Sequence, residues 1–154
     1  MSTARHVTGS AAAPTPGTSI VTDTSLRVEG RTLCAGDGRG AVLRLGLPLS
    51  FWGGVDSDGT IVDAHHPQRG SSIAGTVLTM ASGRGSSSSS SVLAELIRAG
   101  RAPAAIVLTE PDAIIALGAL AAAEIYDVHC PVICIDRAAL ARLPSGADAK
   151  VTAR

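Results

Sequence analysis

Apolar and polar positions fall into regular patterns only after the first two dozen residues. Residues 1–24 are rich in Ala, Thr, Ser, Pro and Gly and show no period, so a flexible tail is expected there. Through Ser25–Leu33, Leu26 and Val28 alternate with polar neighbours, as in a half-buried strand. Cys34–Gly38 reads as a glycine-punctuated turn, and Gly40–Leu45 as a second strand that Pro48 stops. Ile61–Asp63 reads as a short strand, Ala64–Gly70 as a turn, and Ser71–Met80 as a turn leading into a core strand. Val92, Leu93, Leu96 and Ile97 recur at spacings of three and four, which predicts an amphipathic helix over Val92–Ala99 that Gly100 ends. Ala104–Leu108 is continuously apolar, as in a strand buried on both faces. Asp112 is placed to cap a second helix, Ala113–Ile125, in which Ala116, Gly118, Ala119, Ala121, Ala122 and Ala123 permit close packing. Pro131–Ile135 reads as the last core strand, Asp136 as the cap of a short helix through Leu143, and Lys150–Thr152 as an edge strand. Several β segments thus precede a β-α-β-α-β run. The expected fold is α/β: a β-rich layer beside a small parallel sheet with helices, a three-layer β/β/α domain over residues 25–154.

Composition narrows the chemistry. Aromatics are 2% of 154 residues, namely Phe51, Trp52 and Tyr126, so the core must be aliphatic. Lys+Arg and Asp+Glu number 13 each, so no net charge draws the chain to nucleic acid or to an anionic membrane. No apolar run reaches the ~18 residues of a membrane span, and the N-terminus lacks the apolar stretch of a secretory signal. The cysteines Cys34, Cys130 and Cys134 are odd in number and form no CxxC, which reads as core thiols in a reducing cytoplasm. His65 and His66 are adjacent, so they do not converge on one ion, and no third ligand stands at a useful spacing. No metal is expected on this chain.

Two glycine-bearing stretches remain. Leu49–Thr60 sets Phe51 and Trp52 beside Gly53 and Gly54 and closes on Asp58-Gly59. It is either a loop pinned by buried aromatics or one that presents its backbone to a ligand. Gly83-Arg84-Gly85-Ser86 runs into Ser87–Ser91 just before the first predicted helix. It lacks the GK[ST] of a phosphate loop, the third glycine of GxGxxG and the GxSxG elbow. His65, His66 and His129 are candidate partners of Ser86 for hydrolysis, but spacing pairs none of them with it. The run is either a serine linker or a loop whose N–H groups bind an anion. Its place between two core elements favours the second reading.

Several motifs, in order, resemble one family. They are Pro48–Asp56, Gly59 with Ile61–Asp63, His66-Pro67, Ser72–Gly75, Gly83–Ser86 and Ala102–Ile106. Together they resemble the swivel domain of aconitase X, over about Gly30–Ile135. That resemblance implies a swivelling β/β/α fold, either a separate small subunit or fused to a large catalytic subunit, and a hydro-lyase with an iron–sulfur cluster carried by the large subunit. The small subunit of a two-chain enzyme is the expectation here. It implies that Ser86 is the catalytic base in its alkoxide form, with Ser87 as the alternative should the register slip by one. Arg84, Gly85, Ser87, Gly53 and Gly54 then become candidates for binding a small hydroxy acid. The resemblance also implies that this chain is inactive without its large subunit. One branch of the family dehydrates cis-3-hydroxy-L-proline to a pyrroline-2-carboxylate, and another dehydrates mevalonate 5-phosphate. The Ala-, Arg- and Gly-rich composition resembles that of GC-rich bacterial genes and points to the proline branch. A reading of another class stands beside these: a non-enzymatic anion-binding module using the same loop.

Overall fold

The computed structural model describes residues 13–154. Its elements, in chain order, are β1 (Ser19–Thr22), β2 (Arg27–Glu29), β3 (Arg31–Cys34), β4 (Gly36–Arg44), α1 (Phe51–Gly54), β5 (Val77–Met80), α2 (Ser89–Arg98), β6 (Ala105–Leu108), α3 (Ala113–Tyr126), β7 (Val132–Cys134), α4 (Arg137–Arg142) and β8 (Asp148–Ala153). The strand order is β2-β1-β8-β4-β5-β6-β7-β3. The long strand β4 belongs to two layers. Its first part, Gly36–Ala41, pairs antiparallel with β8, and its last part, Val42–Arg44, pairs parallel with β5.

One layer is therefore antiparallel, β2-β1-β8-β4, and the other is mostly parallel, β4-β5-β6-β7 with β3 antiparallel at its edge. Helices α2 and α3 cover the outer face of the parallel layer. Strand periodicity sorts the apolar side chains between two cores. In β6, Ile106 and Leu108 join Leu93, Leu96 and Ile115 of the helices. Ala105 and Val107, on the other face, join Ile20, Val151 and Ala153 of the antiparallel layer. All four β6 residues are fully buried, as the continuous apolar run predicts. This is the β/β/α arrangement read from the sequence.

Several elements differ from the sequence reading. Strand β1 lies within the stretch read as a tail: it pairs with both β2 and β8, and Ile20 is fully buried. Residues 1–12 of that stretch lie outside the described residues. The strand expected over Ser25–Leu33 is two, β2 and β3, divided at Gly30 and sent to opposite ends of the strand order. Cys34–Gly38 is not one glycine-punctuated turn: Cys34 ends β3 and Gly36–Gly38 opens β4. Its glycines signal close approach, since a Cβ on Gly38 would stand 2.0 Å from the Ala104 carbonyl oxygen. Ile61 makes only an isolated bridge to Val55. Strand β8 runs between β1 and β4 in the interior of the sheet, not at its edge. Asp136 makes no capping bond to α4. That helix is held at its other end, where the Arg44 guanidinium donates to the carbonyl oxygens of Leu140 and Leu143.

The predicted helices fare better. α2 begins three residues earlier than expected, at Ser89, and α3 ends one residue later, at Tyr126. Asp112 caps α3 as expected, its Oδ1 accepting from the Ile114 and Ile115 N–H groups at 3.0 and 3.1 Å. The small residues of α3 do permit close packing, in part against α2: a Cβ on Gly118 would meet the Ser90 carbonyl oxygen at 2.7 Å. No helix among the described residues is long and apolar enough to cross a membrane.

Candidate functional site

The segments after β4, β5 and β6 meet at the carboxyl ends of three parallel strands, where open α/β sheets place their ligands. They are tied by backbone and carboxylate. Leu49, after β4, bridges to Gly83, after β5, and its carbonyl accepts from the Arg84 N–H at 3.2 Å. Asp112, after β6, accepts the Gly83 N–H on Oδ2 at 3.0 Å while its Oδ1 caps α3. One carboxylate thus sets both a helix end and the start of the serine loop.

The aromatic loop is tied to the serine run by hydroxyls. Ser89 is buried, and its Oγ accepts the Trp52 N–H at 3.2 Å. Ser50 Oγ donates to the Trp52 carbonyl at 2.8 Å. Gly85 has φ +98, and a Cβ there would meet Ser50 Oγ at 2.6 Å, so only glycine fits without strain. Phe51 is buried and anchors the loop, whereas Trp52 is 60% exposed. The first reading of Leu49–Thr60 therefore holds in part: Phe51 pins the loop, but Trp52 is not buried with it.

Leu49, Phe51, Gly83, Arg84, Gly85, Ser86, Ser89, Asp112, Ile114 and Ile115 line a small open pocket of about 60 Å³. Ser86 lies at its edge and is exposed. Its Oγ accepts the Ser88 N–H at 3.1 Å, and its carbonyl accepts the Ser89 N–H at 3.0 Å. The N–H groups of Gly85, Ser86 and Ser87 have no acceptor among the described residues. The guanidinium of Arg84 forms no ion pair among them either. A hydroxyl, three unpaired N–H groups at the entry to α2 and a fixed cation suit a small anion or a developing negative charge.

Of the residues the sequence singles out, Arg84, Gly85 and Ser86 stand together on this pocket. Ser87 adjoins it but turns its carbonyl into the helix, where it accepts from Ser90 Oγ at 2.8 Å. Gly53 and Gly54 follow Phe51 on the neighbouring turn and do not line the pocket. His66 is buried and takes a structural part: its Nε2 bonds the Leu47 carbonyl at 3.0 Å, and its Nδ1 accepts the Gln68 N–H at 3.1 Å. His129 sits beside Asp127, past the end of α3. Neither is on the pocket. Two functional residues were missed by sequence reasoning. Asp112 was read only as a helix cap, and no local pattern reports its second oxygen. Ser89 left a signal, since it heads the stripe that continues at Leu93, Leu96 and Ile97 and so had to face inward.

The family model for the aconitase X swivel domain matches residues 27–154. The chain belongs to that family. The swivel domain is 50% identical over 106 residues to a cis-3-hydroxy-L-proline dehydratase of Pseudomonas aeruginosa, a match covering 68% of this chain and 18% of that protein. It is 43% identical over 98 residues to the phosphomevalonate dehydratase small subunit of Methanothermobacter thermautotrophicus, covering 63% of this chain and 75% of that subunit. Its fold matches a chain of Thermococcus kodakaraensis aconitase X in its holo-form, with a TM-score of 0.68 at 33% identity over 82% of this chain and 97% of that one. The swivel domain thus spans less than a fifth of the hydroxyproline dehydratase and most of the small subunit.

Proposed function

We propose that this swivel domain is the serine-bearing small subunit of a two-chain hydro-lyase. It acts with a large catalytic subunit on cis-3-hydroxy-L-proline and yields a pyrroline-2-carboxylate. The observation that carries this reading is the Ser86 hydroxyl, which receives the Ser88 N–H and is flanked by the unpaired N–H groups of Gly85, Ser86 and Ser87. A serine hydroxyl is a poor base at neutral pH. Its alkoxide becomes accessible where N–H donors and a cation such as Arg84 face it and a partner excludes water. In that form Ser86 removes the proton on the carbon beside the carboxylate, the bond from the neighbouring carbon to its hydroxyl breaks, and the departing hydroxide takes up that proton to leave as water, which restores the alkoxide. The resulting enamine tautomerises to the cyclic imine.

An iron–sulfur cluster on the large subunit would supply Lewis acidity at the departing hydroxyl. The swivel domain is a poor candidate to hold it. Burial pushes the thiols of Cys34, Cys130 and Cys134 up, that of Cys130 to about 12, away from the thiolate form that binds iron. No group of three His, Cys, Asp or Glu side chains converges among the described residues. The three free thiols fit a cytoplasmic setting.

The higher identity to the hydroxyproline dehydratase, 50% against 43%, favours that substrate over phosphomevalonate. The test is to purify the swivel domain with the large subunit from the same genome and assay both compounds. Water loss from cis-3-hydroxy-L-proline, absent when either chain is omitted, is the expected result. Turnover of phosphomevalonate alone would transfer the protein to the other branch. Anion binding by the isolated domain, with no turnover in the complex, would reduce it to a binding module.

A further inference from the structure

Helix α3 has an outer face that the swivel domain leaves uncovered. Its fourteen residues include one charged side chain, Glu124. A helix on the outside of a layered domain ordinarily turns a polar face to water. α2, its neighbour in the same layer, does so: exposed Glu95 and Arg98 pair there, with Nε to Oε2 at 2.8 Å. On α3 the buried face is Ile115, Gly118, Ala119 and Ala122, while Leu117 and Leu120 are 58% and 43% exposed. Near its end Ile125 is 69% exposed, followed by Val128 at 40%.

The exposed face is continuous with the candidate site. Ile114 lines the pocket. Leu117, Ala121 and Ile125 follow it at spacings of three and four, so the four lie along one line of the helix surface. The line runs about 16 Å from the pocket, at 1.5 Å per residue. A body seated over the pocket has this line as its next contact.

We propose that the outer face of α3 is the surface on which the large catalytic subunit docks. The proposal rests on the two-chain reading above and adds where the partner sits. That occupant is chosen over a second copy of this chain on two grounds. The hydroxyproline dehydratase relative carries more than four-fifths of its length beyond the part matched here, so a body far larger than this domain accompanies it in that protein. And the apolar line starts at the pocket wall, which a large subunit must reach to bring substrate to Ser86.

The experiment measures the affinity of the swivel domain for the purified large subunit from the same genome. The paired substitution Leu117→Lys with Leu120→Lys weakens binding at least about 100-fold, as expected for two apolar anchors turned to charge. Glu95→Lys on α2 leaves it within about threefold. Both positions on α3 are exposed, so the fold persists, as circular dichroism checks; Leu117→Gln with Leu120→Gln replaces the charged pair should that pair unfold the domain. A folded α3 variant that binds as tightly as the parent, in a complex that still dehydrates hydroxyproline, overturns the docking face and leaves the function standing. A complex that α3 substitutions break but that dehydrates nothing overturns the function and leaves the face. A parent domain that binds no large subunit, or that dimerises in light scattering through α3, overturns the proposal.

Discussion

Helices α2 and α3 lie side by side on one sheet, and each begins at the candidate site. Their N-termini are finished in opposite ways. α3 begins at Asp112, whose carboxylate takes up two of the first N–H groups and also binds the Gly83 N–H. α2 begins at Ser88, whose side chain makes no capping bond. Ahead of it, the backbone N–H groups of Gly85, Ser86 and Ser87 have no acceptor among the described residues, and Ser86 Oγ accepts the Ser88 N–H. A helix end satisfied by its own carboxylate has no affinity left for an anion. The loop leading into α2 keeps the donors of Gly85, Ser86 and Ser87 beside the partial positive charge of that helix end. The α3 terminus therefore builds the site, and the α2 terminus is available to chemistry.

The largest test of that contrast is Ser86→Ala in the two-chain complex. Loss of a positioned base is expected to lower kcat about 10²–10⁴-fold, whereas Ser87→Ala, which removes a hydroxyl that does not line the pocket, is expected to stay within about tenfold. Equal losses from the two would sink the assignment of Ser86. Next comes Asp112→Ala, which strips three N–H groups of their acceptor. It should destabilise the domain by about 2 kcal/mol, read from urea unfolding. It should also lower kcat in the complex, because Gly83 and the loop behind it lose their anchor. A stable Asp112→Ala domain with full turnover would show that the α3 terminus does not build the site.

Gly85→Ala should cost about 1–3 kcal/mol, since φ is +98 and the new Cβ would meet Ser50 Oγ at 2.6 Å. Adding Ser50→Gly to that variant removes the clash but not the backbone strain, so part of the loss should return. The smallest effect lies past the far end of α3. Cys130 is buried, and its thiol is pushed up from 9.0 to about 12, chiefly by burial and further by neighbouring Cys34. Its folded value is the higher one, so the stability it contributes is whole below the unfolded value and is lost as pH rises towards 12. Urea midpoints should fall across that interval. Cys130→Ala should make the fall shallower, and an unchanged slope would refute the burial argument.

Where the sequence was legible, the local signal and the tertiary environment agreed. The stripe Val92, Leu93, Leu96 and Ile97, the apolar run Ala104–Leu108 and the Asp112 cap each gave an element of the right type. Glycine misled where it marks closeness and not a turn: Gly38 lies inside β4 because the Ala104 carbonyl leaves no room for a side chain. β1 was missed because its partners, β2 and β8, are one nearby in sequence and one more than a hundred residues away. Its four residues, Ser19–Thr22, carry too little alternation to announce a strand alone. β8 was taken for an edge because a short half-polar run reads the same at the edge and in the middle of an antiparallel layer.

The site divides along the same line. The order of amino acids alone determined that a glycine, an arginine and a serine stand at the entry to a helix, and the ordered motifs around them carried the family. Gly83, Arg84, Gly85 and Ser86 are contiguous, so sequence spacing is enough to join them. The tertiary structure decided which of the serines is offered: Ser86 on the pocket, Ser89 buried against Trp52, Ser87 and Ser90 paired within the helix turn. It also joined Asp112, 29 positions from Gly83, to the loop it holds. Contacts across that distance are set by how three parallel strands end together, and no local pattern encodes where strands end.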